Sequence, residues 1–235
     1  VFLLTFFILS LSCKKETDMS HSLIASGSET TATPQKAKPV DPEFKAYWYT
    51  GKAEVTSYKL EQARYGEMRD GNAVLIYVTE PFETDRQVKA DKSTTKNTSV
   101  LKLNSTKKFH TGIYPYSVMS STFYPIGDNH HALKITNSVQ EWCGQVFAQL
   151  NNKDDFEISS YSYFGSEGDQ NISLKKQILE NELWNKIRIS PANLPIGKHT
   201  IIPAFAYLRM SHKEIKGYTA NITKTMQGEV TAYAI

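Results

Sequence analysis

Between Tyr47 and Tyr124 apolar residues recur every second position, not every 3.6, and this alternation constrains the fold more than any other feature of the chain. In GNAVLIYVTE, Ala73, Leu75, Tyr77 and Thr79 fall on one side and Val74, Ile76 and Val78 on the other, behind the turn pair Asp70-Gly71. That is a strand buried on one face and half-buried on the other. KAEVTSYKLEQARYGEMRD precedes it, and a long hairpin closing across Asp70-Gly71 is expected. ETDRQVKADKSTTKNTS and LNSTKKF read as solvated strand or loop, with VLKL a short strand between them. GIYPYSVMSSTFYPIGD carries two prolines, which cannot donate to a ladder, so edge strands and turns are expected there.

Further on, Trp142, Gly144, Val146, Ala148 and Leu150 alternate against Glu141, Cys143, Gln145, Phe147 and Gln149. This favours a strand, although Trp142, Val146 and Leu150 would also stripe a helix. The turn Asn151–Asp154 leads into a strand at FEISSYSYF. One helix is expected near ISLKKQILENEL, where Leu174, Ile178, Leu179 and Leu183 recur at helical spacing, ending before Pro191. KIRI alternates again, PANLPIG turns, and HTIIPAFAYL, KEIKGYTANITK and GEVTAYAI read as strands. No longer repeat appears, which argues against solenoids and propellers. The expected architecture is mainly β, bordering on α+β: a strongly curved antiparallel sheet or incomplete β-barrel with one or two packed helices. The last strand meets Ile235 without a turn or polar tail, so the natural protein is expected to continue.

The N-terminus is of another kind. VFLLTFFILSLSCKKE is apolar from Val1 to Leu11 and turns polar at Lys14, too short for a membrane-spanning helix and suited to a secretory h-region. Ser12 before Cys13 resembles the bacterial lipoprotein signal, in which the cysteine thiol is diacylglycerated, with Ser10 and Leu11 in exchanged order. Residues 1–12 are then a lipoprotein signal peptide, 13–40 an acylated cysteine and Ser/Thr/Lys/Glu-rich tether, and 41–235 one β-rich domain. With neither Met nor a basic stretch before Val1, the natural start is expected to lie upstream. The anchor places the domain in the cell envelope, at a membrane read as the outer one, with the periplasmic or surface face left open.

Charge is nearly balanced, 27 Lys+Arg against 24 Asp+Glu, without a basic run, which disfavours nucleic acid as a partner. If Cys13 is acylated, Cys143 has no disulfide partner and reads as a small buried hydrophobe. The chain has no nucleophile elbow, phosphate-binding Gly loop, H-E-x-x-H or C-x-x-C, so no catalytic residue, metal site or cofactor is assigned. Asp128 with His130-His131 reads as a polar turn entering a strand, with a metal site the alternative. Glu167 and Asp169 read as complementing a helix N-terminus. Large amphipathic rings can line a cavity in a curved sheet, so Tyr47, Tyr49, Tyr114, Tyr116, Glu141, Trp142 and Cys143 make the candidate pocket.

The phrases YWYTGKAEVTSYKLEQARYGEMRDGNAVLIYVTE, EWCGQVFAQLNN and LENELWNKIRISPANLPIG resemble a family of uncharacterised bacterial lipoproteins often labelled "septum formation inhibitor Maf". The resemblance covers about Tyr47 to Lys216 and implies lipid anchoring without a known activity. True Maf pyrophosphatases carry Ser-Pro-Arg-Arg; here the single Ser-Pro, Ser190-Pro191, runs into Ala192-Asn193, and that chemistry is rejected. A tethered curved sheet also resembles periplasmic lipoprotein-carrier folds, by fold analogy alone. The expected function is a lipid-anchored, non-enzymatic module that binds an apolar ligand or envelope protein. An envelope hydrolase or thiol enzyme using Glu141 and Cys143, or a structural subunit of an envelope assembly, are the alternatives.

Overall fold

The computed structural model of the protein describes residues 41–127, 130–227 and 230–235. Cys13, the signal, the tether and Asp128 lie outside them. Helix α1 (Pro42–Trp48) opens the described chain: the Asp41 carboxylate accepts the Glu43 N–H at 2.9 Å, and Pro42 takes a position whose N–H has no helical partner anyway. Then follow β1 (Glu54–Arg64), β2 (Glu67–Glu83), the two-residue β3 (Val88–Lys89), β4 (Thr98–Thr111), β5 (Tyr114–Pro125), β6 (Lys134–Glu141), β7 (Gly144–Asn152), β8 (Phe156–Ser162) and β9 (Gln170–Leu174). They form one nine-stranded antiparallel sheet ordered β1-β2-β4-β5-β6-β7-β8-β9, with β3 on β2. The sheet curls into a half-barrel.

A smaller sheet takes β10 (Ile178–Leu179), β11 (Gly197–Ile202), β12 (Tyr218–Gln227) and β13 (Val230–Ala234) in that order, with β10 parallel to β11. Helix α2 (Glu180–Ile189) follows β10 directly, and α3 (Phe205–Met210) follows β11. The protein is therefore mainly β, a curved antiparallel sheet with packed helices. No helix among the described residues is long and apolar enough to cross a membrane.

Several boundaries differ from the sequence expectation, each for a local reason. The first hairpin closes at Tyr65-Gly66, both left-handed at φ 56° and 77°, the two-residue turn whose twist matches the flanking strands. Asp70-Gly71 instead lies within β2, where a Cβ on Gly71 would stand 2.2 Å from the Lys108 carbonyl oxygen. The glycine serves close strand approach, not a turn. β4 runs unbroken through both VLKL and LNSTKKF. β5 is interior, between β4 and β6, because its prolines fall at its ends, Pro115 and Pro125.

Trp142 and Cys143 form the turn between β6 and β7, with Glu141 opposite Gly144, so that alternating stretch is a hairpin and Cys143 is exposed rather than buried. The helix begins at Glu180 and consumes the predicted strand KIRI, while Leu174 belongs to β9 and Ile178 and Leu179 to β10. The second half of HTIIPAFAYL is α3. SEGDQN precedes a strand, β9, not a helix.

The core lies on the concave face. Its largest cluster joins Tyr124, Ile135, Ala148, Leu150, Phe156 and Ile158 of the sheet to Leu179, Ile202, Phe205 and Leu208. Side chains of this size contribute about 1.5–3 kcal/mol each when fully buried. Helix α2 lies between the two sheets. Towards the large sheet, Asn185 Nδ2 donates to the Leu101 carbonyl at 2.7 Å, and the fully buried Glu182 accepts the Ala132 N–H at 2.8 Å. Towards the small sheet, Leu183 packs with Leu194, Ile201 and Ile222. Leu179 caps the helix without any side-chain acceptor, and Glu182 reaches back towards its N–H at 3.5 Å, one half of a capping box.

Candidate functional site

Register assigns each strand residue to a face, and along the concave face the covering changes from one end of the sheet to the other. On β5 to β8, Val118, Ser120, Thr122, Ile135, Asn137, Val139, Val146, Ala148 and Leu150 are all buried. Helix α2 packs chiefly on β4 and β5, and α3 on β6. On β1, β2 and β4 the same face carries Thr56, Tyr58, Leu60, Ala73, Leu75, Ser105 and Lys107, paired as Thr56↔Leu75↔Ser105 and Tyr58↔Ala73↔Lys107. All of these are half-buried except Tyr58, which is 46% exposed. This less covered part of the face, floored by three strands, is termed the trough.

Both ends of the trough are strapped. At one end Arg188 of α2 pairs with Glu54 of β1 at 2.8 Å and lies over the Tyr77 ring, while the Tyr77 hydroxyl donates to the Trp184 carbonyl at 3.2 Å. Burial there pushes the Tyr77 phenol up to about 12. Trp48 of α1 closes the same corner, its carbonyl accepting the Thr79 hydroxyl at 2.6 Å. At the other end Arg64 of β1 donates to the Met210 carbonyl at the C-terminus of α3. From Glu54 to Arg64, β1 spans on the order of 30 Å.

Lys107 stands near the middle of this floor. Its row neighbours are Tyr58, Ala73 and Val118, and among the described residues no carboxylate lies within ion-pair distance of its Nζ. Burial lowers the Lys107 ammonium below its ordinary range, offset in part by the field of Glu180. Glu180 is itself engaged, accepting the Ala204 N–H at 2.8 Å. Among the described lysines the others withdrawn from solvent each have a polar partner: Lys102 has Glu80 at 2.9 Å, Lys134 the Gln87 carbonyl at 2.9 Å, and Lys186 has Glu182 at 3.1 Å. On the far side of α2 a second apolar concavity of about 140 Å³ is lined by Leu183, Trp184, Ile187, Leu194, Ile222 and Tyr233.

The residues singled out from sequence fall into two groups at opposite ends of the sheet. Tyr47 and Tyr49 belong to α1 and its exit, bonded to Glu54 at 3.0 Å and Ser99 at 2.9 Å. Tyr114 and Trp142 meet edge-on at 5.1 Å at the hairpin-turn end, where Tyr116 stacks on Phe109 at 4.7 Å. Glu141 and Cys143 do come together: Glu141 accepts the Cys143 N–H at 2.8 Å. Its hydrogen bond and negative charge push the thiol up, away from the thiolate that nucleophilic work needs. Glu141 also faces the buried Arg209 at 3.9 Å; that guanidinium lies 3.8 Å over the Phe164 ring and 3.5 Å from Glu167. Glu167 and His212, 2.9 Å apart, thus fasten the loop after β8 onto α3.

His131 lies 3.1 Å from Glu182, where it fastens its loop to α2. Among the described residues no three His, Cys, Asp or Glu side chains converge as a metal would require. Sequence reasoning missed Lys107 by reading LNSTKKF as solvated. The signal was there in parity: Leu101, Leu103, Ser105, Lys107 and Phe109 alternate along β4 on one face.

No protein-family model matches the chain, and searches of curated proteins and of solved structures return no match either.

Proposed function

We propose that the protein is a lipid-anchored, non-enzymatic module of the bacterial cell envelope that binds an apolar ligand in the trough over β1, β2 and β4. The observation that carries the reading is the contrast along one face: Leu60, Ala73, Leu75 and Tyr58 occupy core-facing positions yet stay partly accessible, while their counterparts on β5 to β8 are sealed. Concave, largely preformed and predominantly apolar surface with a few polar groups is what small-molecule sites are made of. The anchor is Cys13, acylated after removal of residues 1–12, and residues 13–40 are the tether, in line with the resemblance to uncharacterised envelope lipoproteins. Multiple acyl chains at about 0.8 kcal/mol per buried methylene hold such a domain firmly.

The test is extraction of the protein from membranes under mild conditions, followed by mass spectrometry of the mature N-terminus and of any co-purified small molecule. Expected are a diacylglyceryl adduct on Cys13 and a stoichiometric apolar compound, with Cys13→Ser released into the soluble fraction. A protein that carries no such compound and binds no hydrophobic dye overturns the ligand reading.

A second reading, docking of an envelope protein, draws on a separate observation. The turns β1–β2, β4–β5 and β6–β7 and the exit of β8 lie at the same end of the sheet, and they present Tyr65, Ile113, Trp142 and Tyr163, each more than half exposed. Trp142→Ala with Tyr163→Ala should abolish co-purification of that partner; retention of it removes this reading.

A further inference from the structure

We infer that the trough selects an acyl chain bearing an acidic head group, of the long-chain carboxylic acid type, with the head paired to Lys107. This rests on the apolar-ligand reading and narrows it. Lys107 sits where the register demands an apolar residue: Ala73 on one side, Val118 on the other, and Phe109 two positions along β4 on the same face. A lysine there loses hydration, and a charge withdrawn from water is ordinarily matched by a partner. Among the described residues none lies within ion-pair distance of Lys107, although every other described lysine withdrawn from solvent has a carboxylate or carbonyl partner. Glu180, the carboxylate whose charge acts on Lys107, is tied to the N-terminus of α3 through the Ala204 N–H.

The surroundings match an amphiphile on both counts. Leu75 lies one way along the floor from Lys107 and Leu60 the other, with Tyr58 beside it on the edge strand, so a chain has apolar contact in the trough. Ser105 and Thr56, one row away on the same face, add hydroxyls beside the head. A neutral ligand would leave the ammonium desolvated and unmatched, whereas a carboxylate replaces the lost water with a charge-assisted hydrogen bond. The lowered Lys107 ammonium described above agrees with this geometry, since desolvation is its leading cause.

The full chain is titrated with cis-parinaric acid and with its methyl ester, followed by probe fluorescence. The wild type should bind the acid about ten- to a hundredfold more tightly than the ester, the ratio a charge-assisted bond supplies. Lys107→Met should bring the acid down to the ester's affinity and leave the ester unchanged; Lys107→Arg should restore the preference. Ala73→Trp, which fills the floor beside Lys107, should weaken both probes together, with circular dichroism confirming that each variant is folded. Equal binding of acid and ester by the wild type, or acid binding unaffected by Lys107→Met, overturns the head-group assignment while the apolar-ligand reading stands. Failure of the wild type to bind either probe overturns both. Undiminished binding by Ala73→Trp places the ligand elsewhere and overturns the assignment as well.

Discussion

The concave face over β5 to β8 and the concave face over β1, β2 and β4 are made by the same alternation, and they end in opposite states. In the first, α3 drives Phe205, Ala206 and Leu208 against the strands, and Arg209, held by Phe164, Glu141 and Glu167, pins the covering loop. In the second, helices meet the strands towards the two ends, at one through Arg188–Glu54, Tyr77–Trp184 and Asn185–Leu101 and at the other through Arg64–Met210. Alternation alone thus makes a surface that is able to be core. Whether it becomes core depends on which long-range elements land on it, and the lone lysine falls in the part left uncovered.

The sharpest way to break this contrast is to remove what fixes α2 over the sealed half. Glu182→Ala should cost about 3–5 kcal/mol in urea unfolding, because Lys186, His131 and the Ala132 N–H all lose a buried partner at once. Next, equal truncations should have unequal effects. Leu150→Ala, in a fully buried site, should cost about 3 kcal/mol, and Leu75→Ala, on the trough floor, about 1 kcal/mol or less. Equal costs would mean that the trough is packed like the rest. Gly71→Ala should lower stability by about 1–3 kcal/mol, since its Cβ would collide with the β4 backbone at Lys108.

The smallest effect concerns the turn end of the sheet. Because Glu141 raises the Cys143 thiol, less thiolate is present at pH 8 than for a free cysteine. Alkylation by iodoacetamide should therefore be slower than for glutathione, and Glu141→Gln should speed it severalfold. A rate already at or above that of glutathione would revive a chemical role for Cys143.

Period and parity made the strands legible from sequence, and with them the curved-sheet class. Turn positions were less legible. Tyr65-Gly66 lacks the usual Asn or Asp at its first position, while Asp70-Gly71 has the right letters and lies in mid-strand because β4 passes close to Gly71. The helical pattern starts ahead of the helix because Leu174, Ile178 and Leu179 reach helical spacing by accident across two strands and their connection. Helix α2 is fixed instead by tertiary bonds from Glu182 and Asn185, which leave no local trace. The trough was illegible as a site because its openness is a property of α2 and α3, far along the chain. The aromatics chosen from sequence were divided between the two ends of the sheet for the same reason: parity assigns a face, not a height along the barrel.

Helix α2 has one further consequence. It borders the trough through the Trp184 carbonyl and Arg188, and it is also the element on which the small sheet rests through Leu183 against Ile201 and Ile222. An element shared by two interfaces is where a coupling between them would run, and any such coupling is reciprocal: to the extent that the proposed ligand favours the seated small sheet, the seated sheet favours the ligand by the same factor. Amide exchange in β11 and β12, many residues from the trough floor, is then expected to slow when the proposed ligand binds.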